Sequence, residues 1–290
     1  MKMDKQTNDI LERIALALEK IAPDDDFVND LDQADGFVWH AERLWLEQIN
    51  EISHMQICLL QGIDKQIETL LENTKRFSKK LPANNALLWG ARGSGKSSLV
   101  KAVHATVNQS INNSCERIAL IEIHREEIPS LPELLSILKT STRPCLVFCD
   151  DLSFDNEDTS YKSLKTLLEG GIEGRPKNVL FYATSNRRHL LPRDMMENEQ
   201  SSSINPSEAI EEKVSLSDRF GLWLGFHNCS QTTYYDMIET YITHFKLDIE
   251  KINWRSEANE WAVTRGARSG RVAWQFVQNL AGELGKTLDK

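Results

Sequence analysis

Eight consecutive residues constrain this chain more than any others: Gly90-Ala91-Arg92-Gly93-Ser94-Gly95-Lys96-Ser97. They form a complete phosphate-binding loop with the flanks such a loop requires. Ala86-Leu87-Leu88-Trp89 before it reads as a buried strand, and Ser98 to His104 after it as an amphipathic helix. The glycines let the backbone curl so that successive N–H groups face an anion. The helix N-terminus adds its positive dipole end. Lys96 is expected to reach the β- and γ-phosphates and Ser97 to ligate Mg²⁺, with Gly90 through Ser98 forming the binding set.

At 290 residues the chain can hold one large domain or two smaller ones. No apolar run approaches membrane-spanning length, and Met1 to Lys5 lacks the apolar stretch of a signal peptide. Cys58, Cys115, Cys145, Cys149 and Cys229 form no CxxC pair, which fits reduced thiols and a cytoplasmic location. A net charge of −9 gives no support for nucleic-acid binding. Lys75, Arg76, Lys79 and Lys80 form a local basic cluster, which reads as a solvated helix end or as a contact for an anionic neighbour.

Apolar residues at helical spacing predict a helix over 8–21, followed by an acidic linker at Asp24-Asp25-Asp26. A second helix is expected across 37–60, from Phe37, Leu44, Trp45, Ile49, Ile52 and Leu59. Residues 1–60 therefore read as a helical N-terminal region. From about 62 helices and strands alternate, with strands at 86–89, 117–123, 145–149, 179–184 and 222–226 and helices at 64–78, 96–108, 131 onward and 160–169. That alternation implies an α/β fold with a parallel sheet flanked by helices, over residues 61–228. Residues 194–213 read as an exposed insertion, and 229–290 as a helical lid.

Four further elements are candidates to carry chemistry. Asp150-Asp151 ends the apolar strand 145–149 and looks like a Walker B element, with Asp150 toward Mg²⁺ and Asp151 toward an attacking water. A helix cap is the plain alternative. Asn186 follows strand 179–184 where a polar sensor of the γ-phosphate would stand, or where an Asx turn would. Tyr161-Lys162-Ser163-Leu164-Lys165 and Arg187-Arg188-His189 could face a pore or a nucleic-acid strand, though surface ion pairs are the simpler reading.

These motifs, with Gly62-Ile63 before them and Ser217-Asp218-Arg219-Phe220-Gly221 and Arg265 to Arg271 after them, resemble in order the AAA+ ATPase superfamily over roughly residues 60–280. The strings Ala83 to Ala102, Phe148 to Phe154, Tyr182 to Leu191 and Leu216 to Leu222 resemble more closely the bacterial AAA+ family called domain of unknown function 815. The resemblance implies ATP binding and hydrolysis, with Mg²⁺, in a homo-oligomer acting on an unknown protein or nucleic-acid partner. It implies that Gly62 and Ile63 lie beside the base and that Arg219 is an arginine finger offered to the next subunit, an internal salt bridge with Asp218 or the acidic insertion being the plain alternative. Arg271, or alternatively Arg268, becomes a lid sensor of the γ-phosphate. One departure is Asp151, where most such motors carry Glu; the shorter side chain implies slow turnover. An ATP-dependent binding module of the helicase-loader type stays open beside the hydrolase, and a small-molecule kinase is disfavoured.

Overall fold

The computed structural model describes residues 30–113, 116–154, 161–169, 176–188, 190, 218–250 and 252–288. The expected helix at 8–21, the linker after it and the insertion at 194–213 lie outside these residues.

Alternation of buried strands and amphipathic helices builds one sheet. Among the described residues it has seven strands: β1 (Gly36–His40), β2 (Trp45–Ile49), β3 (Ala86–Gly90), β4 (Ala119–Glu122), β5 (Cys145–Cys149), β6 (Val179–Ser185) and β7 (Leu222–Phe226). Their order is β2-β1-β4-β5-β6-β3-β7. Only the β1–β2 pair is antiparallel; the other five pairs are parallel. Strands β5 and β6 are buried on both faces, as continuous apolar runs in a covered parallel sheet must be.

Successive strand residues point to opposite faces, so the sheet splits its apolar side chains between two cores. Leu87, Ile121, Val147 and Phe181 face one side, packing with α3 (Leu131–Leu138) and α4 (Tyr161–Glu169). Leu88, Leu120, Phe148 and Tyr182 face the other, packing with α1 (Asp64–Ser78) and α2 (Lys96–Gln109). A third core belongs to α5 (Gln231–His244), α6 (Trp254–Thr264) and α7 (Gly270–Glu283). Helices α5 and α7 each start at a serine, Ser230 and Ser269, whose hydroxyl accepts a hydrogen bond from a first-turn N–H. The basic cluster around Lys75 sits exposed at the C-terminal end of α1, where cations complement the helix dipole.

The helix expected over 37–60 is not formed. Residues 36–49 are a β-hairpin whose strand β1 joins the sheet beside β4, so the sheet begins before residue 60 rather than at 86. The spacing of Phe37, Leu44 and Trp45 suited a helix, but the burial of Phe37, Trp39 and Leu46 follows the two-residue period of strands. Each such burial stabilises by about 1.5–3 kcal/mol, which outweighs the few tenths separating helix and strand propensities. Trp39 is fully buried and its indole N–H donates to Ser130 Oγ at 2.8 Å.

Candidate functional site

Strands β5, β6 and β3 are neighbours and run the same way, so their C-terminal ends lie side by side. Residues far apart in sequence meet there: the loop after β3, Asp150-Asp151 after β5 and Asn186 after β6. Crevices at the carboxyl ends of open parallel sheets are where such folds bind ligands.

The loop is shaped by backbone conformations that a side chain would forbid. Gly90 has φ +131°, and a Cβ there would stand 1.9 Å from the carbonyl oxygen of Phe226 on β7. Gly93 has φ +71°, and a Cβ would press on Ser269 and Arg271 of the helical lid. The Arg271 N–H donates to the Gly93 carbonyl at 3.2 Å, so the start of α7 is fastened to the loop.

Lys96 opens α2 and is buried. Its Nζ donates to the carbonyls of Gly90 and Ala91, at 2.9 and 2.8 Å, and to Asn186 Oδ1 at 3.1 Å. Burial holds its pKa below the ordinary lysine value; Asp150 and Asp151 oppose that shift, while Arg271 and Arg92 reinforce it. Ser97 donates its hydroxyl hydrogen to Asp150 Oδ1 at 2.6 Å. Thr184 also donates to that oxygen, and accepts from the Asp151 N–H at 2.9 Å. Asp151 sits at φ +52°, a left-handed conformation, and its carboxylate accepts from Asn186. Asn186 thus bridges Lys96 and Asp151.

These groups line a cleft of about 650 Å³ between sheet and lid, within the usual range for small-molecule sites. Of the residues singled out in the sequence, Ile63, Arg92, Gly93, Ser94, Gly95, Lys96, Ser97, Ser98, Asp150, Asp151, Asn186 and Arg271 line it. Gly90, Ala91, Gly62 and Arg219 are not on its wall. Gly90 and Ala91, at the start of the loop, are tied to Phe226 and Lys96. Gly62, at φ +77°, gives room to Thr233: a Cβ would lie 2.5 Å from its methyl carbon. Arg271 and Arg92 form no ion pair among the described residues. Arg268 turns away to Asn259 Oδ1 at 3.2 Å, so Arg271 is the lid arginine on the cleft. The Arg219 Nε donates to Glu169 Oε1 at 2.6 Å, and Nη2 donates to the same oxygen.

Sequence reading missed the far wall: Met55, Leu59, Leu60 and Gln61 on one side, and Met237, Tyr241 and Trp274 of the lid on the other. Helical spacing held a signal, because Met237 and Tyr241 are four apart and Arg271 and Trp274 three apart, each pair on one helix face. Thr184 was also legible, near the end of β6 and two residues before Asn186.

The fold, with this loop and these strand-end residues, is the α/β fold of AAA+ proteins. The Aeropyrum pernix ORC1 protein, solved in complex with DNA, has 15% identity and a TM-score of 0.55, over 78% of this chain and 60% of that one. The Thermotoga maritima RuvB Holliday junction branch migration motor has 14% identity and a TM-score of 0.43, over 75% and 68%. C. elegans PCH-2 has 17% and 0.47, over 75% and 62%. The chain itself belongs to the family described as "Protein of unknown function (DUF815)", whose model matches residues 32–284. No curated protein matches the sequence. Among the described residues no helix is long and apolar enough to cross a membrane.

Proposed function

We propose that the chain binds ATP with Mg²⁺ in this cleft and hydrolyses it to ADP and phosphate, to drive or time the remodelling of a macromolecular partner in the cytoplasm. The observation that carries the reading is the contact of Ser97 with Asp150 at 2.6 Å beside Lys96. A hydroxyl and a carboxylate oxygen suit Mg²⁺, which takes few protein ligands and completes its shell with phosphate oxygens and water. The ion would be held by Ser97 and Asp150, and would neutralise charge on the β- and γ-phosphates.

On binding, Lys96 exchanges the Gly90 and Ala91 carbonyls for phosphate oxygens. Water attacks the γ-phosphorus, a new P–O bond forms and the bond to the β-phosphate oxygen breaks. Asp151 orients that water and Asn186 contacts the γ-phosphate, while Arg271 stabilises its charge from the lid. Electrostatic stabilisation of this kind is the main device of phosphoryl transfer. Arg219, off the wall of its own cleft, serves the cleft of a neighbouring protomer, so the active species is a homo-oligomer.

The test is calorimetry with Mg·ATP, alongside phosphate release. The wild type is expected to bind and turn over, and Asp150→Ala to lose turnover. A folded protein that gives no heat with Mg·ATP would overturn the proposal. A second reading is an ATP-dependent binding module with little hydrolysis of its own. The tie between Asp151 and Asn186 favours it, because it occupies the carboxylate that should orient water. Single-turnover hydrolysis with and without single-stranded DNA separates the two.

A further inference from the structure

We infer that Glu169 is a positioning residue for Arg219, helping to set the direction in which its guanidinium leaves the subunit. The inference rests on the proposed role of Arg219 in a neighbour's cleft. It adds a residue to which no motif pointed.

An arginine side chain is long and rotamer-rich, so a finger delivered to a phosphate needs its direction set beforehand. The backbone beside Arg219 is well held. Phe220 is buried, with its ring 6.2 Å from that of Phe181, and a Cβ at Gly221 would lie 2.5 Å from Asn84 Oδ1. Beyond the backbone, Glu169 grips one side of the guanidinium. A single oxygen, Oε1, accepts from both Nε and Nη2. These two nitrogens share one edge of the planar fork, so their capture fixes the plane and turns the terminal end of the group away from Glu169.

Glu169 is itself held. It closes the described part of α4, which the buried Leu164 and Leu167 pin against the sheet. That helix follows Asp150-Asp151 in the chain, so the carboxylate that aims Arg219 stands on the segment leading away from the subunit's own cleft. The Glu169 side chain is 45% exposed and that of Arg219 20%, so solvent screens the pair in part and its contribution to folding is modest.

The experiment compares Glu169→Ala, Glu169→Gln and Arg219→Ala in steady-state ATP hydrolysis at assembling concentrations. Glu169→Ala is expected to lower kcat about ten- to hundredfold, the cost of a misplacement of about 1 Å, with KM for ATP unchanged. Glu169→Gln keeps an oxygen able to accept both hydrogen bonds and is expected to retain intermediate turnover. Mixing Glu169→Ala with Asp151→Asn protomers is expected to raise turnover above the sum of the two alone. In the mixture, intact clefts of the first variant meet well-aimed arginines of the second. Wild-type or faster turnover by Glu169→Ala, a KM change in place of a kcat change, or no gain on mixing would overturn the inference. If Arg219→Ala is slow while Glu169→Ala is not, only the positioning role fails. If Arg219→Ala keeps full turnover, the trans role of Arg219 fails and the inference fails with it.

Discussion

Asn186 donates a hydrogen bond to the carboxylate of Asp151 at 2.5 Å. Its carbonyl oxygen accepts from Lys96, so one amide spans the cation and the carboxylate of the cleft. The Asp151 backbone is left-handed, and its N–H is taken by Thr184. The carboxylate is therefore short and held close to the sheet. In Asp151→Glu the added methylene extends its reach by about 1–1.5 Å. We expect kcat for ATP to rise about tenfold or more, from the sensitivity of rate to placement. Steady-state phosphate release measures it, and rapid wild-type turnover that glutamate does not improve would count against a held-back carboxylate.

Arg219→Ala should leave ATP affinity within about twofold of the wild type and lower kcat by about 10³-fold, the smaller end of the effect of an arginine finger. Wild-type turnover per protomer should rise with protein concentration, and that of the variant should not. Calorimetry and a concentration series of ATPase rates test both halves.

Gly90 occupies a conformation that only glycine enters easily, pressed against the backbone of β7. Gly90→Ala must move either the loop or Phe226. A loss of about 2 kcal/mol or more in unfolding free energy is expected, together with weaker ATP binding. Urea denaturation shows the first effect; an unchanged midpoint would mean that the contact with Phe226 is relaxed in solution.

His104 is buried on α2, with Nε2 2.8 Å from the Ile118 carbonyl, and burial pushes its pKa from 6.5 down to about 4. The folded state thus disfavours the proton that the unfolded chain accepts. Stability from this group is full above pH 6.5 and declines as the pH falls toward 4, by about 3 kcal/mol in all. Between pH 7 and pH 5 the loss should be about 2 kcal/mol. His104→Gln should flatten that part of the profile. Urea midpoints at the two pH values decide it, and an equal slope in the variant would assign the pH dependence to other groups.

The strands from β3 to β7 were legible because each is a short apolar run bounded by polar or turn residues, and the loop because its glycines and lysine have few other uses. The hairpin at 36–49 was not. Its apolar residues fit two periods, and only the open flank of β4 selects the strand. The close approach of Thr233 to Gly62 was likewise hidden. Such a contact depends on what packs opposite, over 170 residues along the chain.

The order of chemical groups was written in the chain: a glycine-rich loop with its lysine, a carboxylate pair after one strand, an amide after the next and an arginine ahead of the last. Tertiary structure decided which of them touch. Parallel neighbouring strands bring residues 96, 150 and 186 to one edge of the sheet. The lid supplies Arg271, and α4 supplies the carboxylate that grips Arg219. The physical reason is that a strand's apolar pattern encodes burial, which is a local demand, whereas hydrogen-bond partners are set by which strand ends lie adjacent once every such demand is met together.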